Sequence, residues 1–135
     1  MATLSRPSNY ALLCVLLSGT MGCAATARGP EQYRDDTQTL LNTRQPAIKQ
    51  CYDAVLRGQP ESGGTVTIRF TLASETGKIV NANVDEANST APEAIRACVL
   101  QALDGLALAP PDDQDGHATF VWEFRVTRSP GNPST

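Results

Sequence analysis

Residues 63–84 read Gly63-Gly64-Thr65-Val66-Thr67-Ile68-Arg69-Phe70-Thr71-Leu72-Ala73-Ser74-Glu75-Thr76-Gly77-Lys78-Ile79-Val80-Asn81-Ala82-Asn83-Val84. Val66, Ile68, Phe70 and Leu72 alternate with Thr65, Thr67, Arg69 and Thr71, which is the period of a half-buried strand. Ser74-Glu75-Thr76-Gly77 carries turn chemistry, and Ile79 to Val84 runs back as a second strand. The stretch therefore predicts a β-hairpin with one apolar face and one polar face, and an apolar face needs a cover.

The cover is found on either side. Upstream, from Tyr33 onward, Leu40, Leu41, Ile48, Cys51, Tyr52, Val55 and Leu56 recur at three-and-four spacing, the mark of an amphipathic helix. Pro46 interrupts it, so the helix either restarts there with proline in a first turn or kinks. Arg57-Gly58 ends it with a basic last turn and a glycine stop. Downstream, Thr90-Ala91-Pro92-Glu93 has the pattern of a capping box. Ile95, Cys98, Val99, Ala102, Leu103 and Leu106 form the apolar stripe of the helix it opens.

After a loop from Ala109 to Gly116, residues His117 to Thr127 alternate Phe120, Trp122, Phe124 and Val126 against Thr119, Glu123, Arg125 and Thr127. Val121 is the one apolar residue on the polar side. The predicted fold is α+β, two helices packed on one face of a three-stranded antiparallel sheet, in the order α-β-β-α-β. Cys51 and Cys98 would meet helix to helix on the covered side. Thr65, Thr67, Arg69, Thr71, Thr119, Glu123 and Arg125 would line a face open to water.

The N-terminus sets the compartment. Arg6 precedes the apolar run Ala11 to Leu17, followed by Ser18-Gly19-Thr20-Met21-Gly22-Cys23. A basic start, a short apolar core and small residues at the cut describe an export signal, and the run is too short to span a bilayer of ~30 Å. Cys23 stands where a bacterial lipoprotein places the cysteine that is acylated. Gly22 and Leu17 suit that reading, whereas Thr20 and Met21 do not, and ordinary secretion with cleavage near Ala25 or Ala27 is the alternative. Ala24 rather than Asp after Cys23 points to the outer membrane. The expected division is 1–22 signal peptide, 23–33 flexible tether, 34–128 folded domain and 129–135 disordered tail.

Composition excludes much. The formal charge of −3 includes Arg6, so loss of the signal leaves −4, and no basic stripe offers itself to nucleic acid. The mature chain of roughly 110 residues holds one domain with a modest core. No second apolar segment crosses a membrane. Cys14 leaves with the signal and Cys23 takes the lipid, so Cys51 and Cys98 remain. Two cysteines in an oxidising space read as a disulfide, with free buried thiols as the competitor. A zinc site wants about four ligands, and the chain has 1 His.

That residue, His117, is expected to be exposed at a strand start, with Asp112, Asp113 and Asp115 its near neighbours. Asp112-Asp113-Gln114-Asp115-Gly116 lacks the spacing of a calcium loop. No nucleophile elbow, phosphate loop or dinucleotide fingerprint occurs. Asn88-Ser89-Thr90 reads as helix-capping chemistry rather than a glycosylation site. Trp122 and Phe124, in phase with the apolar row, read as core. Neither an enzyme, a metal nor a cofactor is expected.

The segments "IKQCYDAVL", "GGTVTIRFTLASETGKIVNANV", "AIRACVLQAL" and "FVWEFRV" together resemble the AgmX/PglI C-terminal domain family of myxobacteria and their kin, relatives of the TonB C-terminal domain. Two departures stand out: Leu108-Ala109-Pro110 where members often carry Phe-Pro, and Trp122-Glu123-Phe124 in place of Tyr-Pro-Phe. The second leaves an N–H on the last strand that proline would remove. The resemblance implies a last strand at a sheet edge, which in the energy transducer accepts an extended peptide from an outer-membrane receptor. It thus implies a non-enzymatic adaptor with an envelope protein as partner. Docking is expected on the edge of His117 to Thr127 or on that of the second strand, with Thr119, Val121 and Glu123 as contact residues on the edge and Arg125 and Arg69 on the polar face. The alternative is a structural subunit of an envelope machine, such as one for gliding or surface-polymer export, using that polar face.

Overall fold

A computed structural model describes residues 28–127. The hairpin forms as its alternation predicts: β1 (Gly64–Leu72) pairs antiparallel with β2 (Ile79–Val84). The last strand, β3 (Gly116–Phe124), pairs antiparallel with the other side of β1, giving the order β2-β1-β3. The apolar row of the central strand is the floor of the core, with Val66 and Ile68 at 0% exposure. Val66 stands opposite Trp122, Ile68 opposite Phe120 and Phe70 opposite Ala118. Pairing of β3 ends at Phe124 rather than at Thr127 because its partner there, Gly64, is the first residue of β1.

Pro46 decides the helical layer. A proline ring clashes with the carbonyl four residues back, here that of Asn42. One predicted helix is therefore two, α1 (Pro30–Asn42) and α2 (Gln45–Gly58), with Pro46 in the first turn of the second. The Thr43 and Arg44 N–H groups close the break onto the Leu40 and Leu41 carbonyls at 3.2 and 3.0 Å. α1 opens at Pro30, inside the stretch expected as tether.

The third helix, α3 (Glu93–Leu103), lies over β1 and β2. Its expected capping box is not made. Pro92 is the N-cap and gives no side-chain bond, while the Thr90 hydroxyl accepts the Thr65 N–H at 2.9 Å. Likewise the Ser89 hydroxyl accepts the Thr67 N–H at 3.0 Å. Asn88-Ser89-Thr90 thus pins the chain to β1 instead of starting a helix. Leu106, expected on the helical stripe, lies beyond the helix end yet remains buried.

The core closes between the layers. Ile48 and Tyr52 from α2 and Ile95, Val99 and Leu103 from α3 pack onto the β1 row. Trp122 and Phe124, expected as core, face it as their phase predicts but are only half-buried on the last strand, and the Phe124 ring lies 4.9 Å from that of Tyr52. Cys51 and Cys98 form a disulfide that ties α2 to α3, with Cα atoms 5.7 Å apart.

Candidate partner-binding edge

Which backbone groups of β3 are unused follows from those of β1. The Thr67 carbonyl accepts the Asp85 N–H at 2.8 Å, and the Thr65 carbonyl accepts those of Thr90 and Ala91 at 2.9 and 3.0 Å. Odd-numbered residues of β1 therefore face β2 and the segment beyond it, and even-numbered ones face β3. Directly opposed residues in an antiparallel pair share one sense, both inward or both outward. By the register, Ala118, Phe120 and Trp122 turn their N–H and C=O groups to β1. His117, Thr119, Val121 and Glu123 turn theirs outward, along a sheet edge with no strand beyond it among the described residues.

Their side chains are exposed as well, and Val121, at 59%, is the more exposed of two large apolar side chains on the surface among the described residues. Glu123 stands where the resemblance expects proline. Its N–H is among the outward groups, so the departure adds a donor to this edge. Arg125 lies past the strand end and donates to the Glu123 carboxylate at 2.6 Å.

The opposite edge is covered at its start. The Ile79 N–H donates to the Leu106 carbonyl at 3.0 Å, the Leu108 N–H to the Gly77 carbonyl at 2.8 Å, and Lys78 bridges to Ala107. Gly77 permits this approach: its φ is +65°, and a Cβ there would run into the Leu108 carbonyl oxygen. Further along, the register slips between Arg69 and Thr71, and Asn81 on β2 has φ +53°. A short, bulged and partly covered strand is a poor template for pairing.

The polar face differs from expectation. Thr67 does not meet water. It is 4% exposed, lying under the segment 85–91, and its hydroxyl donates to the Asn88 carbonyl at 2.7 Å. Arg69, expected as a contact residue, is ion-paired with the buried carboxylate of Asp85. A hydrogen bond from the Asn88 side chain and the Arg69 charge hold Asp85 below the usual carboxylate range, against the effect of burial.

Sequence reasoning missed a groove between α1 and β3. The inner row of β3 tapers from Phe124, Trp122 and Phe120 to Ala118 and Gly116, with the Tyr33 hydroxyl lying over Gly116. The small residues leave a cavity of about 730 Å³ that runs along the β3 edge. Arg28 closes one end. Its guanidinium donates to Asp36 at 2.7 Å, Asp112 at 3.2 Å and the Pro110 carbonyl at 2.7 Å. Burial opposes its charge, but the bonds to Asp36 and Asp112 raise its pKa nonetheless.

The acidic loop is part of the same construction. Asp115 accepts the Ser74 N–H at 2.7 Å, which lowers its pKa, and the Asp112 carbonyl accepts the Glu75 N–H at 3.2 Å. His117 is exposed, with Nδ1 3.2 Å from the Thr71 hydroxyl. Among the described residues, no three His, Cys, Asp or Glu side chains gather to hold a metal. No described helix is long and apolar enough to cross a membrane. Cys23 lies outside the described residues.

No family model matches the chain, and a comparison with curated proteins returns no match. Among solved structures, the fold is similar to the solution structure of the TonB C-terminal domain of Helicobacter pylori. The TM-score is 0.56 at 16% identity, over 75% of this chain and 87% of that one. The likeness establishes a TonB C-terminal-like fold.

Proposed function

We propose that the protein is a non-enzymatic adaptor of the AgmX/PglI C-terminal type, held in the cell envelope by a lipid on Cys23, facing the periplasm from the outer membrane. It docks an extended segment of an envelope protein on β3. The observation that carries this reading is the asymmetry of the sheet. One edge is bulged and bridged, and the other presents the outward backbone groups of His117, Thr119, Val121 and Glu123 in unbroken register. Unpaired strand edges are normally blunted in evolution, so a straight one suits strand addition, where main-chain bonds supply affinity. The TonB-like fold supports the same use.

The parity of β3 makes the reading testable. Val121→Pro removes an outward N–H and no ladder bond, so the fold should survive it. In envelopes treated with a crosslinker and analysed by mass spectrometry, this variant should lose the partner that the unaltered protein captures. Arg69→Glu with Arg125→Glu should keep it. The opposite pattern would move docking to the polar face and favour the envelope-machine reading. The same spectra report the acylation of Cys23 and the oxidation of Cys51 and Cys98.

A further inference from the structure

The edge alone selects no sequence, because main-chain pairing is indifferent to side chains. The groove beside it does select. A strand added to β3 would place the residues opposite Ala118 and Phe120 on the inner face, under α1. Those two positions are about 6.7 Å apart, two residues along a strand, and both are among the lining of the 730 Å³ cavity. The walls there are the Phe120 ring, the Ala118 methyl and the α1 side chains of Tyr33, Thr37 and Gln38. A cavity in the range of ligand clefts, about 300–1,000 Å³, takes two apolar side chains of medium size.

Charge sets the other requirement. Asp112, Asp113 and Asp115 line the end of the groove next to Gly116. The two arginines nearby are committed, Arg28 to Asp36 and Asp112, and Arg34 to Asp35. Arg28 offsets Asp112, which leaves Asp113 and Asp115 to make this end anionic, and a cation on the partner fits it.

We propose that the groove between α1 and β3 reads the partner strand, selecting an extended peptide with two apolar side chains two residues apart and a lysine or arginine beyond them at the Gly116 end. The inference rests on docking at β3 and assigns specificity to Ala118 and α1, away from the backbone groups that give affinity.

The test uses the full chain, kept in detergent, and three synthetic nine-residue peptides. The first alternates leucine with threonine and has a lysine at each end. The second replaces the leucines with serine. The third replaces the lysines with glutamate. The first should bind about tenfold or more tightly than the second, from the apolar area it buries. It should exceed the third by a margin that narrows in about 1 M salt, where charges are screened. Ala118→Leu fills the groove and leaves the outward backbone groups in place. This variant, checked for an unchanged circular dichroism spectrum, should bind the leucine peptide no better than the serine one. Equal binding of all three peptides by the unaltered protein would overturn the groove and leave strand docking standing. An undiminished leucine preference in Ala118→Leu would do the same. Binding of none would remove strand docking and this inference together.

Discussion

Replacing both Cys51 and Cys98 with alanine tests how far the helical layer depends on one covalent tie. The bridge joins residues 47 positions apart, and a loop of that length gives about 4 kcal/mol in the chain-entropy account. Cys98 is 2% exposed, so the lost sulfur adds a small packing loss, up to about 1 kcal/mol. Against a typical domain stability of 5–15 kcal/mol, about a third or more of the whole is at stake. Urea unfolding followed by the fluorescence of Trp122, the 1 Trp of the chain, reads the effect. With a slope of about 1.5 kcal/mol/M, the midpoint should fall by about 3 M. The unaltered protein with a reductant should behave like the double variant. A fall below about 1 kcal/mol, or no response to the reductant, would show that the α2–α3 link is not what limits the unfolded chain.

Two further outcomes follow from the polar contacts. Asp85 has a folded pKa below its unfolded value, so the stability it contributes is complete above about pH 4 and is lost as pH falls through the folded value. The urea midpoint should therefore drop on acidification below about pH 4, and Asp85→Asn should shrink that drop while lowering the midpoint at pH 7; an unchanged acid slope would remove Asp85 from the linkage. Arg28→Met leaves Asp112 buried without its cation and should cost about 2 kcal/mol in the same assay, less than a fully buried pair because Asp36 is half-exposed.

Much of the fold was legible because its signals are local. The alternation of Val66 to Leu72 carries the central strand and its faces in seven residues, and Pro46 marks the point where the first helix restarts or kinks. What escaped the sequence depends on contacts between distant residues. Arg28 lies in a stretch whose composition suits a tether, and only its bonds to Asp36 and Asp112 bring it into the domain; the second of these spans 84 positions. Thr67 sits in phase with the polar row, yet the crossing of segment 85–91 buries it. Thr90 and Glu93 have the spacing of a capping box, but the Thr65 N–H claims the hydroxyl first.

The site shows the same division. Thr119, Val121 and Glu123 could be placed on one strand by alternation, whereas the outward sense of their backbone groups needed the register with β1. The groove left one trace in the sequence, the small pair Gly116 and Ala118 ahead of Phe120, Trp122 and Phe124. Nothing local says that α1 lies opposite them.

Amide hydrogen exchange along β3 examines the docking edge itself. In the free protein, the Ala118, Phe120 and Trp122 amides should exchange slowly and those of Thr119, Val121 and Glu123 quickly. With the leucine and lysine peptide bound, the second set should slow by about tenfold or more while the first barely changes. Outward amides that keep their free rates in the complex would show that the partner does not add a strand to this edge.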